Sequence, residues 1–306
     1  MRPLKPFSTY GQPFLTIEAT RPSHNSNDAD KLQVGEEVWL GLASFHVLDP
    51  TGLRMLAWTQ APADEKAVFK AAKELLQASH GRASILSVTQ DSEKLAKRKD
   101  ELEKCCAAAE MTPDLGWAVK AKAGEMDTEV FKELQKESYE LVIAQGSALD
   151  SPEHEQVLER VVMEFGVSLL LTVEIYQHIS EILICTASGE PGKEDVYFGG
   201  RIARHTRSIT TVLHVFDPER GEAARKRAER HLDKAKDLLN AFNVESVVKM
   251  EHGRFLPVLW NELKKKGYQL VVMGVPWKAS GRHLEIASNL IKQTKASLLL
   301  VPAGRG

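Results

Sequence analysis

Short apolar runs alternate with amphipathic stretches along most of the chain, and this alternation predicts a layered α/β fold. Glu181–Thr186 is an apolar run bounded by turn residues, and residues 219–242 carry apolar side chains at spacings of three and four. The first pattern is typical of a strand covered on both faces, and the second of a helix with one buried face. Apolar strands that alternate with helices predict a parallel sheet with helices on both sides.

The C-terminal half shows this order most clearly. Its strands are expected at 181–186, 209–216, 244–250, 268–273 and 297–301, and its helices at 194–206, 219–242, 255–266 and 283–294. In doubly wound sheets of this kind, ligands bind beyond the carboxyl ends of strands, where the strand order reverses. Candidate binding residues are therefore expected in the loops after the first and fourth strands.

The pattern occurs twice. Residues 115–172 align without a gap with residues 244–301, and Tyr139 and Tyr268 in these stretches lie 129 positions apart. A second gapless stretch pairs residues 55–88 with 182–215 at an offset of 127. Solenoid repeats are shorter, typically ~20–50 residues, so each copy is long enough to be a complete domain.

The duplication predicts two tandem α/β domains, at residues 51–175 and 176–306, each a doubly wound (Rossmann-like) domain with a five-stranded parallel sheet. Residues 1–50 lie outside the repeat and are expected to form a partly flexible arm that packs on the first domain. Within this arm, 14–17 and 38–42 are candidate short strands, and the polar stretch 20–30 is typical of a flexible loop.

Composition narrows the classes of protein to consider. The chain has 306 residues, of which 43% are hydrophobic and 27% charged, so it is long and apolar enough to form two ordinary cores. Its net charge of −2 gives no general attraction to nucleic acid or to an anionic membrane. Its three cysteines have no framework spacing, which favours a reducing compartment. We find no apolar run long enough to span a membrane and no signal-peptide core, so a cytoplasmic location is expected by elimination.

Several motifs that invite a chemical interpretation have a structural one instead. The segment 188–193 precedes a helix but lacks the spacing of a P-loop, and helix 219–242 mixes both charge signs, which favours a solvated face over a nucleic-acid helix. Vicinal Cys105 and Cys106 are expected to be packed or partly exposed, with redox reactivity as the alternative. The ten histidines show no metal-ligand spacing: His214 is expected to be packed, and His154 and His283 to lie at the surface. The sequence assigns no catalytic residue and no metal ligand.

The C-terminal copy resembles the universal stress protein family. The resemblance rests on the strand 181–186, the ending Leu-His-Val at 213–215, Gly253 after strand three, the sequence Val-Met-Gly ending at Gly274 and the tail Leu-Leu-Val-Pro. Through the repeat it extends to both copies, about residues 54–173 and 181–303. It implies the strand order 3-2-1-4-5 and antiparallel pairing of the two fifth strands, across domains or chains, so the chain is expected to be a pseudo-dimer.

The family's nucleotide-binding pattern, G-x2-G-x9-G-(S/T), is only partly kept. Its first glycine falls on Gly274 and its hydroxyl residue on Ser288, whereas Trp277 and Ala287 replace the other two glycines, and Ala187 stands where nucleotide-binding members carry an acid. Ala287 is expected near a helix start, where backbone N–H groups could meet a phosphate. The candidate nucleotide-binding residues are Thr186, Gly253, Gly274, Lys278, Ser280, Gly281, Arg282 and Ser288.

The first copy departs further from the pattern. Gln145, Ala148, Leu158 and Glu159 occupy the four motif positions, and Glu159 would repel a phosphate. Strand one of this copy also ends without an acid. We therefore expect the first copy to serve packing or a partner rather than a nucleotide.

Three functional hypotheses follow. The resemblance implies a regulatory protein of the stress response that acts through an unknown protein partner or a small ligand, without turnover, and that could form a homodimer through its fifth-strand edges. The second hypothesis is ATP or AMP binding in the second copy, with at most slow hydrolysis. The third is an enzyme of a related nucleotide-using α/β superfamily, which rests on fold analogy alone.

Overall fold

The structure of the protein is a computed structural model that describes residues 52–62, 65–186, 191–276 and 282–303. Within these ranges, the side chains of 191–193, 282 and 283 are not described. The predicted N-terminal arm, with its two candidate strands, lies outside the described residues.

The described residues form strands that alternate with helices. The strands are β1 (Arg54–Trp58), β2 (Arg82–Thr89), β3 (Trp117–Ala123), β4 (Leu141–Gln145), β5 (Ser168–Thr172), β6 (Glu181–Thr186), β7 (Ile209–Phe216), β8 (Ser246–His252), β9 (Leu270–Pro276) and β10 (Ser297–Ala303). The helices are α1 (Lys66–Ser79), α2 (Leu95–Ala108), α3 (Met126–Lys136), α4 (Pro152–Met163), α5 (Pro191–Thr206), α6 (Gly221–Ala241), α7 (Phe255–Lys265) and α8 (Arg282–Gln293). The order predicted for the C-terminal half is confirmed, with boundaries shifted by a few residues.

All ten strands belong to one sheet, in the order β3-β2-β1-β4-β5-β10-β9-β6-β7-β8. Each half therefore has the predicted order 3-2-1-4-5, and the pairs within each half are parallel. We call β1–β5 with their helices the first copy, and β6–β10 with their helices the second copy. The strand order reverses at β1 and β4 in the first copy and at β6 and β9 in the second, so each copy has one switch point.

The two copies meet where β5 and β10 pair antiparallel. Leu169, Leu170 and Leu171 lie opposite Leu300, Leu299 and Leu298, and all six side chains are buried. The pairing removes two apolar edges that would otherwise favour aggregation. The possible homodimer through these edges stays a prediction, since both edges are already paired here and a dimer would form at this place only by exchanging β5 or β10 between two chains.

One apolar layer covers each side of the sheet. The first core layer contains buried side chains of α1, α2, α5 and α6, and the second contains those of α3, α4, α7 and α8. Alternate residues of a strand point to opposite layers, as Met55 and Ala57 do relative to Leu56 and Trp58. The predicted apolar stripe of α6 is confirmed, because Ala228, Leu232, Ala235 and Leu239 are buried.

A charged pair also joins the copies. Arg201 on α5 donates to Glu140 Oε1 at 2.8 Å, and Glu140 Oε2 accepts from the backbone N–H of Arg54 at 3.2 Å. Because the Arg201 side chain is only 10% exposed, the pair is more than a solvated surface contact. It fixes α5 of the second copy against the start of β4 in the first.

Candidate functional site

A buried polar cluster lies at the switch point of the second copy. Thr186, the last residue of β6, is 5% exposed, and its hydroxyl lies 2.8 Å from Nε2 of His231 on α6. The same hydroxyl donates to Asp195 Oδ1 on α5 at 3.5 Å. Three elements thus converge on one threonine hydroxyl at the carboxyl end of a central strand.

Asp195 brings a carboxyl to a place where the sequence indicated none. The sequence predicts no acidic side chain near the end of strand one of this copy. In the structure, however, α5 packs over β6 and brings the Asp195 carboxyl next to Thr186. Burial raises the pKa of Asp195 to about 7, although hydrogen bonds from the N–H of Val196 and from Thr186 act to lower it. With 1% exposure, the carboxyl is shielded from solvent.

The histidines of the cluster bind the backbone as well as side chains. His214 on β7 is 3% exposed, and its Nδ1 lies 3.0 Å from the carbonyl oxygen of Thr186. Burial lowers the pKa of His214, while the Thr186 carbonyl acts to raise it. The rings of His214 and His231 are 6.1 Å apart. The prediction that His214 is packed and hydrogen-bonded is confirmed, whereas sequence reasoning missed Asp195 and His231 as site residues.

The loop after β9 was expected to carry most of the nucleotide-binding residues. Lys278, Ser280 and Gly281 lie outside the described residues. Arg282 is the first residue of α8, and its side chain is not described. Gly274 is half-buried in β9 and pairs in register with Val301 of β10. Their part in ligand binding stays a prediction.

The last two positions of the family motif, 287 and 288, do not lie at the start of a helix in the structure. The expectation that Ala287 lies near a helix start is wrong, because α8 begins at Arg282 and Ala287 is fully buried in the second core layer. Ser288 is the seventh residue of this helix and is half-buried. Only the first four N–H groups of a helix lack an internal acceptor, so the N–H of Ser288 is not available to a phosphate. The segment between β9 and α8 is too short to place this motif at the helix start.

Gly253 has a structural explanation. It follows β8 with φ of +125°, and its N–H donates to the carbonyl of Phe216 at 3.1 Å. Its equivalent Gly124 has φ of +145° and donates to Thr89 at 3.0 Å. Residues with a Cβ rarely adopt these φ values, so both turns require glycine. β6 and β7 separate β8 from β9, so the structure does not bring Gly253 together with Gly274.

The first copy differs at its own switch point. Leu158 is fully buried in α4, and Ala148 is buried in the short 3-10 helix Gly146–Asp150. His154 is half-buried, its ring 5.9 Å from that of Trp58 in an edge contact, and burial lowers its pKa despite the carboxylates of Glu153 and Glu65. The expected surface role of His154 is therefore wrong, because its ring is half-buried against Trp58 of β1.

The vicinal cysteines of α2 pack against the first core layer. Cys106 is buried, and Cys105 is partly exposed and donates to the Pro62 carbonyl at 3.1 Å. Burial raises the pKa of both thiols. The prediction that the two cysteines are packed or partly exposed is therefore confirmed.

Within the described ranges, no three His, Cys, Asp or Glu side chains converge as metal ligands. Among the helices of that same part of the chain, none has the length and apolarity needed to cross a bilayer.

No protein-family model matches the chain, and no curated protein matches it. Solved structures do match. A universal stress protein from Archaeoglobus fulgidus DSM 4304 aligns with 84% of this chain and 98% of its own length, with a TM-score of 0.63 and 14% identity. A functionally unknown protein from Pseudomonas aeruginosa PAO1 aligns with 83% of this chain and 94% of its own length, with a TM-score of 0.60 and 13% identity. The chain therefore has an α/β fold, with a large and mostly parallel sheet, that solved universal stress proteins share.

Proposed function

We propose that this protein is a universal-stress-like regulatory protein, which acts in the stress response by binding a small ligand or a protein partner without turnover. The observation that carries this proposal is the fold, which the Archaeoglobus universal stress protein matches across both copies. A cytoplasmic location and an unknown protein partner are part of the same proposal.

The geometry at the second switch point supports binding rather than nucleophilic chemistry. A nucleophilic hydroxyl must face the substrate and must have a base oriented by a third group. The Thr186 hydroxyl is buried, and its contacts with Asp195 and His231 both lie inside the protein. The cluster is thus suited to holding β6, α5 and α6 in a fixed relation around the loops that flank it.

Adenine-nucleotide binding in the second copy is the alternative, with ATP or AMP as the ligand and at most slow hydrolysis. It is favoured by Gly274, which is kept at the carboxyl end of β9, and by the Asp195 carboxyl near the end of β6. It is opposed by the position of Ser288 inside α8. Lys278 and Arg282 would supply positive charge to the phosphates in this proposal.

The first experiment combines mass spectrometry of small molecules released from gently purified, denatured protein with calorimetric titration of ATP. The matched variants are Thr186→Val and Thr59→Val, which change equivalent threonines of the two copies. Adenine nucleotide in the released fraction, or micromolar ATP binding that weakens in Thr186→Val but not in Thr59→Val, would establish the nucleotide site. An empty protein without heat at millimolar ATP would exclude it and leave a protein partner as the ligand.

Turnover is tested separately. Under the regulatory proposal, purified protein incubated with ATP releases no ADP above the level of a buffer control. Sustained ADP release that Thr186→Val or Asp195→Asn abolishes, while Thr59→Val retains it, would contradict the non-catalytic proposal. Circular dichroism of each variant checks that the fold is intact.

A further inference from the structure

The loop that follows β1 holds a carboxylate from the chain itself. The N–H of Gln60 donates to both carboxylate oxygens of Glu65 at 3.2 Å, and the N–H of Ala61 donates to Oε1 at 3.3 Å. Glu65 is only 7% exposed. Successive backbone N–H groups that point to one place form a concavity that binds anions. The Glu65 carboxylate thus occupies the position of an anionic ligand.

A buried hydroxyl lies at the same strand end. Thr59, next to Gln60, is 0% exposed, and its Oγ1 has no hydrogen-bond partner among the described residues. Strand alternation places Thr59 on the face of Met55 and Ala57, which α1 covers. Thr59 immediately precedes Gln60, whose N–H binds the Glu65 carboxylate, so the buried hydroxyl and the carboxylate both lie at the carboxyl end of β1. Leaving a buried hydroxyl unpaired is costly, and a small polar molecule or ion bound beside it is one physical explanation for such a group.

The neighbouring strand adds a second polar group on that face. Ala57 pairs with Ile143, so the register brings Thr59 beside Gln145 at the carboxyl ends of β1 and β4. The Oε1 atom of Gln145 is also buried without a partner within the described ranges. The switch point of the first copy therefore combines two backbone donors, a hydroxyl and an amide with an internal carboxylate.

At the position that corresponds to Glu65, the sequence of the second copy has no acidic residue. At the repeat offset of 127, Thr59 corresponds to Thr186 and Glu65 to Gly192, and at the offset of 129 Gln145 corresponds to Gly274. Glycine has no side chain that could reach the loop after β6. The two copies thus share the threonine, whereas the glutamate at position 65 occurs only in the first.

We propose that the loop after β1 is an oxyanion-binding site whose occupant is the protein's own Glu65, so that the first copy is closed to small anions. The ligand class is a carboxylate or phosphate-type anion, because the N–H groups of Gln60 and Ala61 are donors only and the Thr59 hydroxyl can donate. This site lies in the first copy and does not depend on ligand binding by the second.

Removing the carboxylate tests the proposal directly. Inorganic phosphate is titrated into the full-length wild type and the Glu65→Ala variant, and the amide NMR signals of Gln60 and Ala61 are followed after selective labelling. Glu65→Ala should bind phosphate at least about tenfold more tightly than the wild type, because two N–H groups become free for charge-assisted hydrogen bonds. The exposed Glu153, changed to Ala, is the control for the loss of one negative charge near this cleft. A folded Glu65→Ala variant without this gain, or an equal gain in Glu153→Ala, would overturn the proposal.

A second variant covers the case in which Glu65→Ala does not fold. Glu65→Gln keeps the shape of the side chain but removes its charge, so the Gln60 and Ala61 amides should exchange with solvent faster than in the wild type, and phosphate should slow them. Unchanged exchange and no protection by phosphate would overturn the proposal. The ATP titration of the wild type reports on the second copy, so its outcome does not affect this test.

Discussion

Tyr268 donates a hydrogen bond from its hydroxyl to Glu262 Oε1 at 2.7 Å, and Glu262 on α7 is 1% exposed. Lys249 on β8 forms an ion pair with the same oxygen. The buried glutamate therefore accepts from two donors that lie on the sheet side of α7. This arrangement attaches the helix after β8 to the strands beneath it.

The first copy contains the same network of a tyrosine, a glutamate and a lysine. Tyr139 donates to Glu133 Oε1 at 2.7 Å, Lys120 donates to the same atom at 2.6 Å, and each of these residues lies 129 positions before its counterpart in the second copy. The Tyr139 oxygen also lies 2.9 Å from Ser84 Oγ and accepts from the Ser84 hydroxyl, because the one tyrosine hydrogen goes to Glu133. Since the rest of the two copies has diverged widely, we infer that this network is needed for stability in both.

The two tyrosines should therefore contribute similarly to stability. Tyr139→Phe and Tyr268→Phe should each lower the free energy of unfolding by about 1–3 kcal/mol, because a buried carboxylate loses a donor. Urea unfolding measures the change. In a double-mutant cycle, Tyr139→Phe should couple with Glu133→Gln but not with Tyr268→Phe, which lies in the other copy. Additive effects of Tyr139→Phe and Glu133→Gln would contradict the network.

The network also predicts a response to acid. Burial acts to raise the pKa of Glu133, but hydrogen bonds from Lys120, Lys122 and Tyr139 outweigh it and lower the pKa to about 2. The folded pKa is below the unfolded value of 4.5, so this stabilisation is present above pH 4.5 and is lost as pH falls towards 2. Glu133→Gln should flatten this part of the pH dependence of unfolding, measured in urea at a series of pH values. The exposed Glu103, changed to Gln, should leave the slope as in the wild type.

The repeat and the strand patterns predicted most of the fold. Apolar runs such as Glu181–Thr186 and Ser297–Ala303 are too short for a buried helix and are bounded by turn residues, so their length and flanks predicted strands. The pairing of β5 with β10 followed from the family resemblance rather than from the pattern, since an apolar strand does not specify its partner. The boundary of α8 was nearly right, yet the motif spacing placed Ala287 at a helix start that lies five residues earlier.

The candidate site was less predictable because its side chains come from separate elements. Thr186 was identified by its position at a strand end, but Asp195 and His231 reach it from two helices whose packing no local pattern encodes. The family pattern places the acid at Ala187, next in sequence to Thr186, whereas the carboxyl in the structure comes from Asp195 on α5. A signal was present in the repeat: Asp195 corresponds to Val68, so an acid appears in only one copy at a position on a core-facing helix.

The pairing of β5 and β10 predicts that the two copies do not fold independently. Leu299→Asp should lower the free energy of unfolding by at least about 3 kcal/mol, because it buries an unpaired charge in the first core layer. Leu299→Ala should cost about 2–5 kcal/mol and keeps the test informative if the charged variant does not fold. Val247→Asp on β8, where the side chain is 49% exposed, is the matched control and should change stability by about 0.5 kcal/mol or less. A small effect of both Leu299 variants in urea unfolding would show that the pairing contributes little.

The buried carboxyl of Asp195 gives stability the opposite pH dependence to that of Glu133. Its folded pKa of about 7 is above the unfolded value of 3.8, so between these values the folded state binds more protons than the unfolded state. The free energy of unfolding should therefore fall as pH rises from about 4 to 7, by up to roughly 4 kcal/mol, and level off above that range. Asp195→Asn places a neutral isostere beside Thr186 and should remove this decline.

Urea unfolding of wild type and Asp195→Asn between pH 4 and pH 8 tests this prediction, with Asp237→Asn on the exposed face of α6 as the control. At pH 8 the Asp195→Asn variant should be at least as stable as the wild type, since the uncharged amide avoids the cost of burying a carboxylate. An unchanged decline in Asp195→Asn, or an equal change in Asp237→Asn, would mean that the pH dependence has another source. In that case the Thr186 cluster would be a set of ordinary hydrogen bonds between β6, α5 and α6.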